Sequence, residues 1–149
     1  MILAAYGSTL YKLLFLGHMI SLVVAFAPAV ANPLTAARAK TDGPDALRRL
    51  SGYQALNGKQ VYFPALIVLA AFGIGLVFEG GFGFDQTWVS LAFLGWIALC
   101  GIVSGLILPA ERRLAGGDLE AESKVARGGQ IATVLFLAML YLMIWKPGA

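Results

Sequence analysis

Charge is what this chain is short of. Asp, Glu, Lys and Arg make up 13% of its 149 residues, and hydrophobic residues 59%. An ordinary soluble domain carries about 25% charged residues. One domain of this length cannot bury so much apolar surface in water, but hydrocarbon tolerates it exposed. Cysteine is almost missing: Cys100 stands alone, so no intrachain disulfide exists. Histidine is equally scarce, and the single His18 excludes a bis-histidine metal or haem site within the chain. The apolar stretches hold no Asp or Glu, which excludes a Ser/His/Asp set at membrane depth. No strand precedes the glycine-rich Gly80-Gly81-Phe82-Gly83, so it reads as a hairpin between helices and not as a phosphate cradle. The charge of +3 is not a nucleic-acid footprint, because the cations flank the apolar stretches, as membrane insertion requires. Nucleic acid is not an expected partner; the lipid bilayer is.

Four apolar stretches are present, at 13–31, 61–78, 88–108 and 131–145. About 20 residues of helix cross ~30 Å of hydrocarbon. The expected fold is all-α: one domain, 1–149, forming an antiparallel four-helix transmembrane bundle. Its helices are expected over about 10–31, 60–79, 87–108 and 128–146. Pro64 is expected in the first turn of the second helix, and Pro147 ends the fourth.

The cations orient the bundle. Arg38, Lys40, Arg48, Arg49 and Lys59 lie in the first connection, and Arg112, Arg113, Lys124 and Arg127 in the third. The middle connection has Glu79 and Asp85 and no cation, while Lys12 and Lys146 flank the ends. Nine against two places connections one and three in the cytoplasm and both termini outside. The expected location is the bacterial inner (cytoplasmic) membrane, multi-pass. Tyr6, Tyr11, Phe82, Phe84, Trp88, Tyr141 and Trp145 suit an outer aromatic belt, and Tyr53, Tyr62 and Phe63 an inner one. Ala29-Val30-Ala31 resembles a signal-peptidase site, but cleavage there would leave five cations outside, against the charge bias.

The long connections carry structure of their own. Asp42-Gly43-Pro44-Asp45 is a helix start. Leu47, Leu50 and Tyr53 follow at intervals of three, with Arg48 and Arg49 between. This predicts a short helix in the first cytoplasmic loop, either interfacial on the inner membrane surface or packed on the bundle. The mixed charges Glu120, Glu122, Lys124 and Arg127 suggest that helices three and four extend beyond the bilayer.

His18 is the residue with chemical potential. An ionisable group at membrane depth is a functional candidate by default. Leu14, His18, Ser21, Ala25 and Pro28 share a helix face with Gly17 beside it, and so small and polar a face should point at protein. His18 either hydrogen-bonds a neighbouring helix, ligates haem iron or a metal here or in a partner, or handles protons or a quinone. Met19, Met139 and Met143 offer thioethers, although methionine in an apolar helix usually fills space. Ala98, Gly101 and Gly105 form a small-residue stripe on helix three, with Gly73 and Gly75 in helix two. Such residues allow close backbone approach, either within the bundle or to another subunit's helix.

The opening Leu13-Leu14-Phe15-Leu16-Gly17-His18 resembles that of CopD-type copper-resistance proteins and HemJ-type protoporphyrinogen oxidases. Pro109 to Leu114 and the closing Tyr141-Leu142-Met143-Ile144-Trp145-Lys146-Pro147 are more similar to an uncharacterised four-helix integral-membrane family frequent in actinobacteria. Ser21-Leu22-Val23-Val24 replaces the tryptophan-glycine-glycine element that often follows the first-helix histidine. The further histidine and lysine of a HemJ-like site have no counterpart, so oxidase and copper chemistry do not carry over. The actinobacterial-type resemblance implies a small accessory subunit accompanying large membrane complexes, notably respiratory cytochrome assemblies and supercomplexes. The expected function is therefore a non-catalytic accessory or assembly subunit without a resident cofactor. A haem- or metal-handling protein using His18 is the first alternative. A small transporter or channel lined by His18, Ser21, Ser90, Ser104 and Thr133 is the second.

Overall fold

The computed structural model describes residues 7–147, so Tyr6 of the outer belt lies outside the described residues. Four helices are long and apolar enough to cross a membrane: α1 (Thr9–Thr41), α2 (Pro44–Glu79), α3 (Thr87–Ala115) and α4 (Ala121–Trp145). No strand occurs among the described residues. The chain is an all-α bundle with the architecture of a multi-pass membrane protein.

The helix ends follow local chemistry. Ser8 caps α1 by accepting the Tyr11 N–H at 3.0 Å. Its hydroxyl donates to Glu79 Oε1 at 2.8 Å, tying the start of α1 to the end of α2. Gly43, at φ 105°, turns the chain into α2, where Pro44 occupies the first turn. α4 stops at Lys146, whose left-handed φ of 44° precedes Pro147. At that end Lys146 Nζ lies 4.6 Å from the centre of the Phe82 ring and 5.3 Å from that of Trp88. These contacts fasten α4 to the glycine-rich hairpin.

The helices run further than hydropathy indicated. α1 has 33 residues and α2 has 36. At 1.5 Å per residue these are rods of about 50 Å and about 54 Å, well beyond ~30 Å of hydrocarbon. Hydropathy marks where lipid ends, not where helical hydrogen bonding ends. The surplus projects at the basic end. There Ala39, Leu47, Leu114 and Ala121 form a buried cluster beyond the apolar runs.

The short helix expected in the first loop is helical at that place but is not separate. Pro44–Asn57 continues through a π turn, Gly58–Tyr62, into Phe63–Glu79. Leu47 packs this segment onto the ends of α1 and α3. Pro64 thus lies in the first turn of the α-helical segment Phe63–Glu79, as expected, while the π turn joins that segment to the helix before it. A second π turn, Val103–Ile107, interrupts α3 two residues before Pro109. A proline follows each interruption by two residues. Proline has no N–H to donate, and its ring crowds the carbonyl four residues back. The wider turn moves the bonding by one residue: Phe63 N–H reaches the Gly58 carbonyl, and Leu108 N–H that of Val103.

α1 packs chiefly along α2, and α3 along α4. Ala25, Leu66, Leu69 and Leu99 form the central core, and Val77, Trp88 and Val89 the core at the hairpin end.

Candidate functional site

Two donors, one from each flanking helix, grip the backbone of α2. His18 of α1 is buried, with Nδ1 3.0 Å from the Leu69 carbonyl oxygen. Trp96 of α3 donates its Nε1–H to the Leu66 carbonyl at 2.9 Å. A carbonyl only accepts, so the imidazole proton sits on Nδ1. In the neutral ring Nε2 then carries the lone pair. Among the described residues every fully buried side-chain nitrogen or oxygen has a partner. Nε2 has none, so it reaches the surface of the chain.

Glycines bring α1 and α2 this close. A Cβ on Gly73 would lie 3.2 Å from His18 Cε1, one on Gly75 3.0 Å from Leu14, and one on Gly17 would overlap the Phe72 ring. Ser21 and Ala25 are buried on the same face of α1. The Ser21 hydroxyl is engaged within its own helix, by the Gly17 carbonyl at 2.8 Å. Met139 packs on Gly95 in the α3–α4 interface, while Met19 is exposed. No three His, Cys, Asp or Glu residues gather among the described residues.

The second small-residue group points elsewhere. Ala98, Gly101 and Gly105 are exposed, and a Cβ on either glycine would meet nothing within 4 Å. The within-bundle alternative for this stripe does not hold. α3 instead turns Gly95 and Leu99 inwards, with Gly95 against Met139, which leaves the stripe on the outside. Leu94 and Ile97 stand exposed beside it.

Sequence reading missed Glu111. It lies three residues past the apolar run, outside the membrane-spanning part, yet it is only 2% exposed. Leu108 packs on Gly58, and Ala115 faces Gly52 at 3.8 Å. That antiparallel register sets Glu111 level with the buried Gln54 and Ala55, and its Oε2 is 3.7 Å from where a Gly58 Cβ would be. Desolvation pushes its pKa up to about 7. Among the described residues no hydrogen bond or ion pair engages it. Gln54 and Ser51, the other buried polar side chains here, bond to Thr35 and to the Leu47 carbonyl. The signal was available: Leu108, Glu111 and Leu114 recur at intervals of three, which places the carboxylate on an apolar face. By contrast Asp118, at the exposed turn, is held below the usual carboxylate range by hydrogen bonds from Arg113 at 2.6 and 2.9 Å.

Comparison of the chain with family models, curated proteins and solved structures finds no match.

Proposed function

We propose that this chain is a non-catalytic integral-membrane subunit, an accessory or assembly component that docks through the outer face of α3 onto a helix of a larger membrane complex. One observation carries the reading: Ala98, Gly101 and Gly105 present bare backbone outwards, with open space over both glycines. Lipid supplies no hydrophobic drive between helices, so close backbone approach and van der Waals contact drive association. The glycines of the α1–α2 seam are filled by side chains of this chain, whereas those of the α3 stripe are not. The other outward residues, such as Leu16, Val23 and Val134, are large and apolar and suit lipid contact. In this reading the basic end faces the cytoplasm of a bacterial cell and both termini face outwards, supported by the nine cations at that end.

Purification of the tagged chain from its own membranes in mild detergent, with mass spectrometry of what accompanies it, tests the proposal. A large complex is expected in constant ratio to the chain, and Gly101→Leu with Gly105→Leu is expected to release it. Recovery as a free monomer across several gentle detergents contradicts it.

One observation favours a second reading, in which His18 ligates a haem iron or a metal. Histidine ligands commonly anchor one ring N–H on a carbonyl and coordinate through the other nitrogen. His18 has that anchor at Leu69. An optical spectrum of the purified protein distinguishes the two. A Soret band lost in His18→Ala supports ligation, and colourless, metal-free protein removes it.

A further inference from the structure

At the basic end the last turns of α1 and the first turns of α2 border an open, shallow surface groove of about 340 Å³. Arg38 of α1 and Ala46, Arg49, Leu50 and Tyr53 of α2 line it. The ion pairs around it are selective. Lys40 is paired with Glu122, and Arg48 with Asp45 at 3.5 Å. Arg38 and Arg49, each within two residues of those cations, have no carboxylate within 4 Å among the described residues. Asp42 closes the groove at the turn without pairing with either arginine. Arg49 also borders a second hollow beside Asp45, but Arg48 already engages that carboxylate.

The depth fits a headgroup. Arg38 follows Lys12 by 26 residues, about 39 Å along the helix, close to the ~40–45 Å of a bilayer with its headgroups. Membrane-ward of the groove the same face of α1 turns apolar and exposed. Leu34 and Val30 continue the Arg38 face at intervals of four, with 63% and 70% exposure. On α2 the Tyr53 face runs through Leu56 to the exposed Lys59 and Gln60, so the apolar continuation belongs to α1.

We propose that this groove is a binding site for an anionic phospholipid of the leaflet at the basic end. Arg38 and Arg49 clamp its phosphate, and its acyl chains lie along Leu34 and Val30. Guanidinium forks suit phosphate oxygens, and with Asp42 at the turn the two arginines leave the lining one net positive charge, which an anionic headgroup neutralises and a zwitterionic one does not. Tyr53, an exposed residue of the lining, is of the amphipathic aromatic kind that collects at membrane interfaces. The site is independent of the α3 stripe and stands whether or not that stripe docks a partner.

The test uses the full chain in neutral detergent, titrated with phosphatidylglycerol, with phosphatidylcholine and with inorganic phosphate, and read by native mass spectrometry. Phosphatidylglycerol is expected to bind, with phosphatidylcholine weaker by about tenfold. Arg38→Gln with Arg49→Gln is expected to weaken phosphatidylglycerol by about tenfold or more. Arg112→Gln with Lys124→Gln, two unpaired cations outside the groove, is expected to change it by less than about threefold. All four residues are surface groups, and unchanged elution and melting of each variant confirm intact folding. Equal losses in the two double variants reduce the effect to diffuse charge and overturn the site. Equal binding of the two lipids overturns it as well. Full displacement by millimolar inorganic phosphate assigns the groove to the free ion and overturns the lipid.

Discussion

Glu111 should give this protein a stability that falls as pH rises through neutrality. The carboxyl is 2% exposed and its pKa is raised from 4.5 to about 7. A raised acid pKa means the fold prefers the protonated form. The stability it lends is fully present below the unfolded value of 4.5, is lost as pH climbs to about 7, and stays lost above. A difference of that size corresponds to about 3 kcal/mol between the two plateaus. For a chain of this length that is a melting-temperature difference of about 6–12 °C. Intrinsic fluorescence melts in detergent, using Trp88, Trp96 and Trp145, read it directly. Wild-type protein should melt higher at pH 5 than at pH 8. Glu111→Gln stays neutral throughout, so it should match wild type at pH 5 and exceed it at pH 8. Asp118 has the opposite sign, because its pKa is lowered from 3.8, and its window lies below that pH. A Glu111→Gln protein whose melts track wild type across the whole range refutes the reasoning.

Other expectations separate the seams of the bundle. Gly73→Leu drives a side chain into the His18 ring and should destabilise the purified monomer by about 2 kcal/mol or more. Gly101→Leu enters open space and should leave the monomer's melt unchanged. Trp96→Phe removes the bond to the Leu66 carbonyl and should cost about 1 kcal/mol in the same assay, the scale of membrane interhelical hydrogen bonds. Lys146→Ala removes the cation from the Phe82 and Trp88 rings and should cost about 0.5–1 kcal/mol. Asp45→Cys in a Cys100→Ala background should resist an impermeant thiol reagent in intact cells and label after permeabilisation; labelling of intact cells reverses the proposed orientation.

Hydropathy alone located the four spans, because 18-residue apolar windows cannot be satisfied in water. It could not locate the helix ends, since Ala36 to Lys40 and Pro44 to Asn57 are helical for reasons of propensity and packing that hydropathy ignores. Pro64 does open the α-helical segment Phe63–Glu79, where a proline in the first turn is harmless; what the sequence did not display is the π turn that joins this segment to Pro44–Asn57 in one rod. The face of α1 bearing His18 was legible from 100° periodicity. Its partner carbonyl at Leu69 was not, because pairing between helices depends on register that one sequence does not display. Gly73 and Gly101 look alike as letters, and only the packing shows that the first is covered by His18 and the second by nothing of this chain. Glu111 escaped because the loop composition around it is charged, while its own helix turns it inwards.

Site-specific photocrosslinking tests the docking of α3 most directly. A photoreactive side chain at Ile97, beside the stripe and 57% exposed, is compared with one at Val23 on α1, 65% exposed. In native membranes the expected result is a discrete protein adduct from position 97 and lipid adducts alone from position 23. Lipid adducts alone from both positions contradict a partner helix on that face.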